Sequence, residues 1–350
     1  TRSPYMQRVW FNKTFSSVGT AMRLIREADM AATNGAPRYH IVCSNTNAHA
    51  AAFLAAHEYA VEPSGLTGLD YVEWCLEFCR ERGITIFWPG KEAGLIGSAS
   101  ARFAAIGTRV LSVASEETLT LMHDKARFCD GLDLPMARPA DYRAVTTIAE
   151  YDAAYAELRP LHRKLCIKPS ESVYALGFAI LDEERTSAQL LLAGAAYQIN
   201  AQELRNGLAQ MASFKTLLLM EYLDGHEYSA DCVADQGTLV CAVPRKKLHG
   251  GGSGQLIELR ADLLAACEKL ARDYRLNGVF NIQFREGANG LALLEINPRM
   301  SGGIGMACAA GPNLPYLALA GFDQGYDKLT VPAIRDGMRV AEAAYAVELP

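Results

Sequence analysis

Val279–Gly303 reads VFNIQFREGANGLALLEINPRMSGG. Phe280, Ile282 and Phe284 alternate with Asn281, Gln283 and Arg285, the period-two pattern of a β-strand. Asn289-Gly290 is a strong hairpin dipeptide. Leu291–Asn297 alternates again, with Ala292, Leu294 and Ile296 on one face and Leu291, Leu293, Glu295 and Asn297 on the other. With the turn near Ala288–Asn289, Gln283 falls opposite Glu295. The expected hairpin has an apolar, core-facing side. Its other side gathers Asn281, Gln283, Glu295 and Asn297 at one end. Oxygen donors so grouped suit a hard cation such as Mg²⁺, which takes few protein ligands and completes its shell with water and phosphate. Arg299 follows, with a planar fork suited to phosphate oxygens. Ser301-Gly302-Gly303 then allows close backbone approach. A plain hairpin ending in a Pro-Arg turn, with solvated polar side chains, satisfies the same spacing.

The whole chain of 350 residues is 50% hydrophobic and 21% charged, enough for two or three domains. Its formal net charge of −5 offers no broad basic field to nucleic acid or anionic membrane. No run of about 18 apolar residues predicts a spanning helix, and Thr1–Phe15 lacks a signal-peptide pattern. Nine cysteines, an odd number in mostly apolar contexts, read as reduced thiols of a cytoplasmic protein. Cys75 and Cys79, one helical turn apart, read as core.

Residues 1–114 alternate strands (Tyr5–Phe11, Tyr39–Cys43, Ile84–Trp88, Arg109–Val113) with helices (Val18–Met30, Ala48–Glu58, Leu69–Arg82, Ala93–Ile106). Such alternation implies a parallel sheet covered on both faces, with ligands beyond the carboxyl ends of its strands. That rim holds Asn12–Ser17, Ser44–Asn47 and Pro89–Gly94. Ser44–Asn47 also reads as a helix N-cap cluster. The G-x-G-x-x-G fingerprint is absent after the first strand, which speaks against a dinucleotide-dependent oxidoreductase.

Further on, His123-Asp124-Lys125 follows a helix start at Ser115-Glu116-Glu117. Leu165–Lys168 is an apolar strand ending in a cation, which is costly to bury without an anion. Leu217–Met220 runs into Glu221-Tyr222-Leu223, then Asp224-Gly225 and Glu227. Pro244-Arg245-Lys246-Lys247 precedes Leu248–Gly254, a glycine-rich stretch that reads as a lid or as a simple linker. Glu258–Arg275 and Asn313–Ala320 are expected helices, and Met338–Val347 a closing strand.

Taken in order, Lys125, Lys168-Pro169, Glu221–Glu227, Gln283 and Glu295-Ile296-Asn297-Pro298-Arg299 resemble the ATP-grasp superfamily, with the ATP-binding fold of carbamoyl phosphate synthetases. KPSESVYALGFAILDEER, Lys168–Arg185, also resembles ATP-grasp proteins coded near tellurite-resistance-type genes. The resemblance implies an α/β chain: a Rossmann-like pre-ATP-grasp domain over 1–114, then an ATP-grasp fold of two α+β subdomains, 115–220 and 221–350. It implies that Lys125 and Lys168 reach ATP phosphates, that Glu221, Tyr222 and Leu223 meet the adenine edge, and that Glu227 accepts ribose hydroxyls. It further implies that Gln283, Glu295 and Asn297 bind two Mg²⁺ ions, with Mn²⁺ as a substitute, and that Arg245 and Arg299 serve catalysis. The activity implied joins a small-molecule carboxylate to an amine, or less readily a thiol, with release of ADP and phosphate; a homodimer is compatible with it. The family's glycine-rich flap corresponds to Ser170–Gly177, which has one glycine and an acid. That departure keeps a second expectation open: a non-catalytic ATP-binding sensor or scaffold.

Overall fold

The computed structural model describes residues 6–13, 17–172, 176–249 and 254–350. The chain forms two compact units, both discontinuous. One comprises residues 1–120, 226–284 and 296–350; the other comprises 121–225 and 285–295. The three-way division at residues 114 and 220 remains a finer proposal.

In the first unit, β1 (Gln7–Phe11), β2 (Tyr39–Asn45), β3 (Glu58–Val61), β4 (Ile86–Trp88) and β5 (Arg109–Val110) form a sheet of order β3-β2-β1-β4-β5. Every pairing is parallel, as expected from the sequence. Alternation along β1 serves both faces. Val9 and Phe11 pack with Ile25 of the helix Val18–Ala32 and with Ile304 and Leu314. Trp10 points to the other face, stacking on Phe87 at 4.1 Å and on Phe78 at 4.3 Å. The helix Gly68–Arg82 ends at Gly83 (φ 61°), whose N–H donates to Cys79 O, a left-handed cap that glycine adopts without strain.

Three expectations in this region need correction. Ala48–Glu58 is not a helix: only Ala51–Ala55 turns, as a 3₁₀ segment. Ser44 lies in β2, and Asn45 and Asn47 cap turns of their own by accepting the N–H groups of Asn47 and His49, so the cluster starts no α-helix. Ala93–Ile106 is two helices, Ala93–Ser98 and Ser100–Ala105. The rim is closed by internal bonds. Buried Glu62 accepts from Tyr71 Oη (2.9 Å), Ser44 Oγ (2.8 Å) and the Lys13 N–H (2.8 Å). Buried Asn12 donates to Tyr71 Oη and accepts from the Gly90 N–H. The rest of the Asn12–Ser17 loop, at 14–16, lies outside the described residues.

In the second unit, β6 (Tyr142–Val145), β7 (Leu165–Pro169), β8 (Ala179–Asp182), β9 (Gln198–Asn200) and β10 (Leu217–Glu221) form a sheet of order β6-β10-β7-β8-β9. Only β8 and β9 pair in parallel. Their crossover is the helix Ser187–Leu192, opened by a full capping box in which Thr186 and Gln189 satisfy each other's N–H. Tyr151, Leu158, Ile167, Leu181 and Leu219 form this unit's core.

The third sheet contains β11 (Glu227–Asp235), β12 (Thr238–Lys247), β13 (Gln255–Ile257), β14 (Gly278–Gly287), β15 (Gly290–Asn297) and β16 (Arg339–Val340), in order β15-β14-β11-β12-β13-β16. β11 and β12 turn over Gln236-Gly237, both at positive φ (46° and 94°), as a two-residue hairpin loop requires when its twist matches the strands. The closing strand expected over Met338–Val347 is only Arg339–Val340. The helix expected from Glu258 begins at Ala261.

At the amino ends of the first sheet, Glu58 accepts from Arg8 (2.6 Å) and Arg82 (2.5 Å). Burial alone would raise its carboxyl, but the two guanidinium hydrogen bonds outweigh it and hold the pKa at about 2. A depressed acid contributes stability above its unfolded value of 4.5 and loses it as pH falls toward about 2. Urea unfolding of the native chain and of Glu58→Gln should therefore show a gap that is full near neutrality and narrows through that window. A gap independent of pH would rule out the ion pairs as its source.

Candidate active site

Within the second unit, two lysines distant in sequence come together. Lys125 opens the helix Lys125–Asp130, which is capped by the Asp124 side chain accepting the Arg127 N–H. Its Nζ lies 3.2 Å from both Ser172 O and Ser172 Oγ, and 3.6 Å from Glu295 Oε2. Lys168 lies in β7, paired across to Leu218 of β10. Burial, and next the charge of Lys125, push its ammonium pKa down; Glu295 opposes the shift. Two lysines and the Glu295 carboxylate therefore interact within this unit. Ser170 Oγ donates to Asp124 at 3.2 Å, tying the start of the flap to the same turn. Residues 173–175 of that flap, Tyr174 among them, lie outside the described residues, as do Gly250–Ser253 of the expected lid.

Glu221–Leu223, at the end of β10, is held by its neighbours. The Glu221 N–H donates to Asp141 O (2.9 Å), and the Tyr222 N–H to Lys164 O (3.0 Å). The Glu221 carboxylate accepts from the Asp141 N–H at 3.4 Å and faces His162 Nδ1 at 3.6 Å. His162 Nε2 in turn meets Asp141 at 3.0 Å. Leu223 is buried with Ala140 and Ala292, flanked by Met220 and Leu294. The Arg285 guanidinium lies 5.5 Å from the Tyr222 ring centre, and its Nε donates to Gly225 O. Gly225 is required by close approach: a Cβ there would lie 2.6 Å from Glu286 Cβ. The result is a small buried apolar cluster beside a pinned strand end. His162, Asp141 and Arg285 were not singled out from the sequence. The one cue to them was that a strand-ending carboxylate, Glu221, needs donors.

Within the first unit, Glu227 is paired to Lys247. His226 Nδ1 lies 3.1 Å from Lys247 O, and its ring 4.3 Å from that of His249. Gln283, on β14, and Asn297, which ends β15, are half-buried; so is Arg299, which donates to Met300 O at 3.1 Å. Asn281 departs from expectation. It is not on an open polar face but fully buried, with its amide nitrogen 2.9 Å from Ser229 Oγ, 3.2 Å from Ala230 O and 3.0 Å from Asp231 Oδ1. Arg245 is also buried and has protein partners at every nitrogen: Asp231 (2.8 Å), Gln255 (2.5 Å), and Ser229 and Ser301 (both 3.2 Å). Gly303 is needed against it, because a Cβ there would stand 2.6 Å from the Arg245 Cζ.

Among the described residues no group of three or more His, Cys, Asp or Glu is arranged to hold a metal. The donors read from the sequence are one carboxylate and two amides, all oxygen ligands of the kind Mg²⁺ prefers. Among the described residues no helix is long and apolar enough to cross a membrane.

A family profile described as "ATP-grasp in the biosynthetic pathway with Ter operon" matches residues 213–346. Glu221–Glu227 and the β14–β15 hairpin fall inside this range, and Lys168–Arg185 falls outside it. The carbamoyl phosphate synthase large chain of Thermoanaerobacter sp. (strain X514) is 24% identical over 208 residues, covering 56% of this chain but only 18% of that relative. Among solved structures, N5-carboxyaminoimidazole synthetase from Staphylococcus aureus complexed with ADP superposes with a TM-score of 0.62 at 13% identity, covering 90% of this chain and 77% of that one. Biotin carboxylase from Campylobacter jejuni, in a β-γ-ATP complex, gives 0.61 at 12% identity, covering 96% and 74%. At such identities the structural likeness carries the fold alone. The profile over residues 213–346 and the sequence relative support an ATP-grasp superfamily member, and the fold agrees with them.

Arg245→Met should lower the unfolding free energy by roughly 3–5 kcal/mol, the usual penalty for leaving one member of a buried ion pair alone. Calorimetry or urea unfolding measures this without any substrate. Unchanged stability would mean that the guanidinium is not held by Asp231.

Proposed function

We propose that the chain is an ATP- and Mg²⁺-dependent ligase that activates a carboxylate as an acyl phosphate for attack by an amine. The observation that carries this reading is the grouping of Lys125 and Lys168 beside Glu295 within one compact unit. The strand end Glu221–Leu223, in the same unit as the lysines, is assigned in this reading to the adenine base.

In this reading Lys125 leaves Ser172 and Glu295 for a phosphate oxygen. Lys168, half-buried and without an ion pair among the described residues, gains a counter-ion. Glu227 exchanges Lys247 for the ribose hydroxyls, which a carboxylate accepts readily. Gln283, Glu295 and Asn297 hold the cations, which supply charge neutralisation on the transferring phosphoryl group. Arg299 lies two residues beyond Asn297 and is assigned to the charge that develops during transfer. Arg245 is assigned a supporting role, because its donors are already engaged inside the protein. Catalysis is then mainly alignment and charge neutralisation.

ADP release measured over a panel of carboxylates and amines, with product mass spectrometry, tests the reading. Turnover with at least one pair is expected. Stabilisation by MgATP without ADP release from any pair would favour the sensor reading, which the glycine-poor Ser170–Gly177 stretch motivates. A melting shift with NAD and none with MgATP would end both. Lys168→Met should raise KM for ATP, and Arg299→Met should chiefly lower kcat. The reverse split would mean that their roles are exchanged.

A further inference from the structure

We propose that Asp231 and Asn281 are positioning residues that set which atom of Asn297 faces the cation. The proposal rests on the ligase reading, in which Asn297 is a metal ligand, and concerns residues of the first unit alone.

The argument is one of donors and acceptors. Asp231 is buried, and its Oδ2 accepts from Arg245 Nε at 2.8 Å. Its Oδ1 accepts from Ser301 Oγ at 2.6 Å and from Asn281 Nδ2 at 3.0 Å. An ionised carboxylate and the Ala230 carbonyl, both at the Asn281 amide, can only accept, so the Asn281 NH₂ must face them. Asn281 Oδ1 is thereby turned the other way, where it accepts from Asn297 Nδ2 at 3.4 Å. Asn297 thus presents its NH₂ to Asn281 and its Oδ1 to the opposite side. A hard cation takes the oxygen and is repelled by the NH₂. The buried ion pair therefore favours, through two amides in series, the orientation in which the Asn297 oxygen faces the cation.

Such outer partners typically affect metal affinity by 10- to 100-fold. The test is Mn²⁺ binding followed by electron paramagnetic resonance in the presence of a non-hydrolysable ATP analogue, so that no turnover is needed. Asn281→Ala should weaken nucleotide-dependent Mn²⁺ binding about 10-fold. Affinity for the metal-free analogue should be unchanged. In an Asn297→Ala background the same substitution should cause no further loss, because the relay ends there. Where Asn281→Ala fails to fold, Asn281→Thr, which keeps a hydroxyl toward Asp231 but cannot reach Asn297, should show the same loss. Unchanged Mn²⁺ affinity, or losses that add in the double variant, would overturn the relay while leaving the ligase reading intact. A native chain that binds the analogue but shows no nucleotide-dependent Mn²⁺ site would overturn both.

Discussion

The buried pair of Arg245 and Asp231 is the interaction on which several strands of the first unit converge. Two opposite charges removed from water each lose several kcal/mol of hydration, and their attraction offsets this only with good geometry and further hydrogen bonds. The protein supplies those bonds from four directions: Ser229 on β11, Gln255 on β13, Asn281 on β14 and Ser301 beyond β15. Each of these residues is thereby fixed. Gly303 follows from the same demand, since the guanidinium occupies the space a side chain would take. The charge pair therefore joins strands remote in sequence and dictates the backbone that follows Arg299.

The second unit meets the opposite condition. Lys125 and Lys168 bring like charges together, and among the described residues the Ser172 oxygens and the Glu295 carboxylate offset them. Burial already disfavours the Lys168 ammonium, and a second ammonium adds to the strain. Like charges so close cost stability, and under the proposed reading a polyanion would offset both.

Much of this was legible in the sequence, for reasons that can be named. Parallel order in the first sheet follows from alternating strand and helix patterns, because each helix crossing sets the next strand parallel. The ATP-grasp resemblance was carried by short strings at strand ends, where chemistry rather than packing chooses the residue. Asn281 was misread because period-two alternation assigns a face but not its surroundings. Here β14 is buried on both faces from Gly278 to Ile282, so the polar face meets another strand rather than solvent. The Gln236-Gly237 turn passed unnoticed because glutamine is an unusual residue at positive φ. Conversely, Ala-rich Ala48–Glu58 has high helix propensity, yet tertiary context gives it one 3₁₀ turn before β3. His162 and Asp141 had no signature, since their meaning lies in what they do to Glu221.

The hairpin resolves a tension between these two conditions. The chain leaves the first unit after Phe284 and returns to it at Ile296, so Glu295 belongs to the unit with the lysines and Asn297 to the unit with the buried ion pair. Yet both stand on β15, two residues apart, and strand geometry fixes that separation at roughly 6–7 Å on one face. Under the proposed reading, a carboxylate and an amide on neighbouring same-face positions of one strand take their spacing from the covalent backbone, which the period of two sets whatever surrounds each residue.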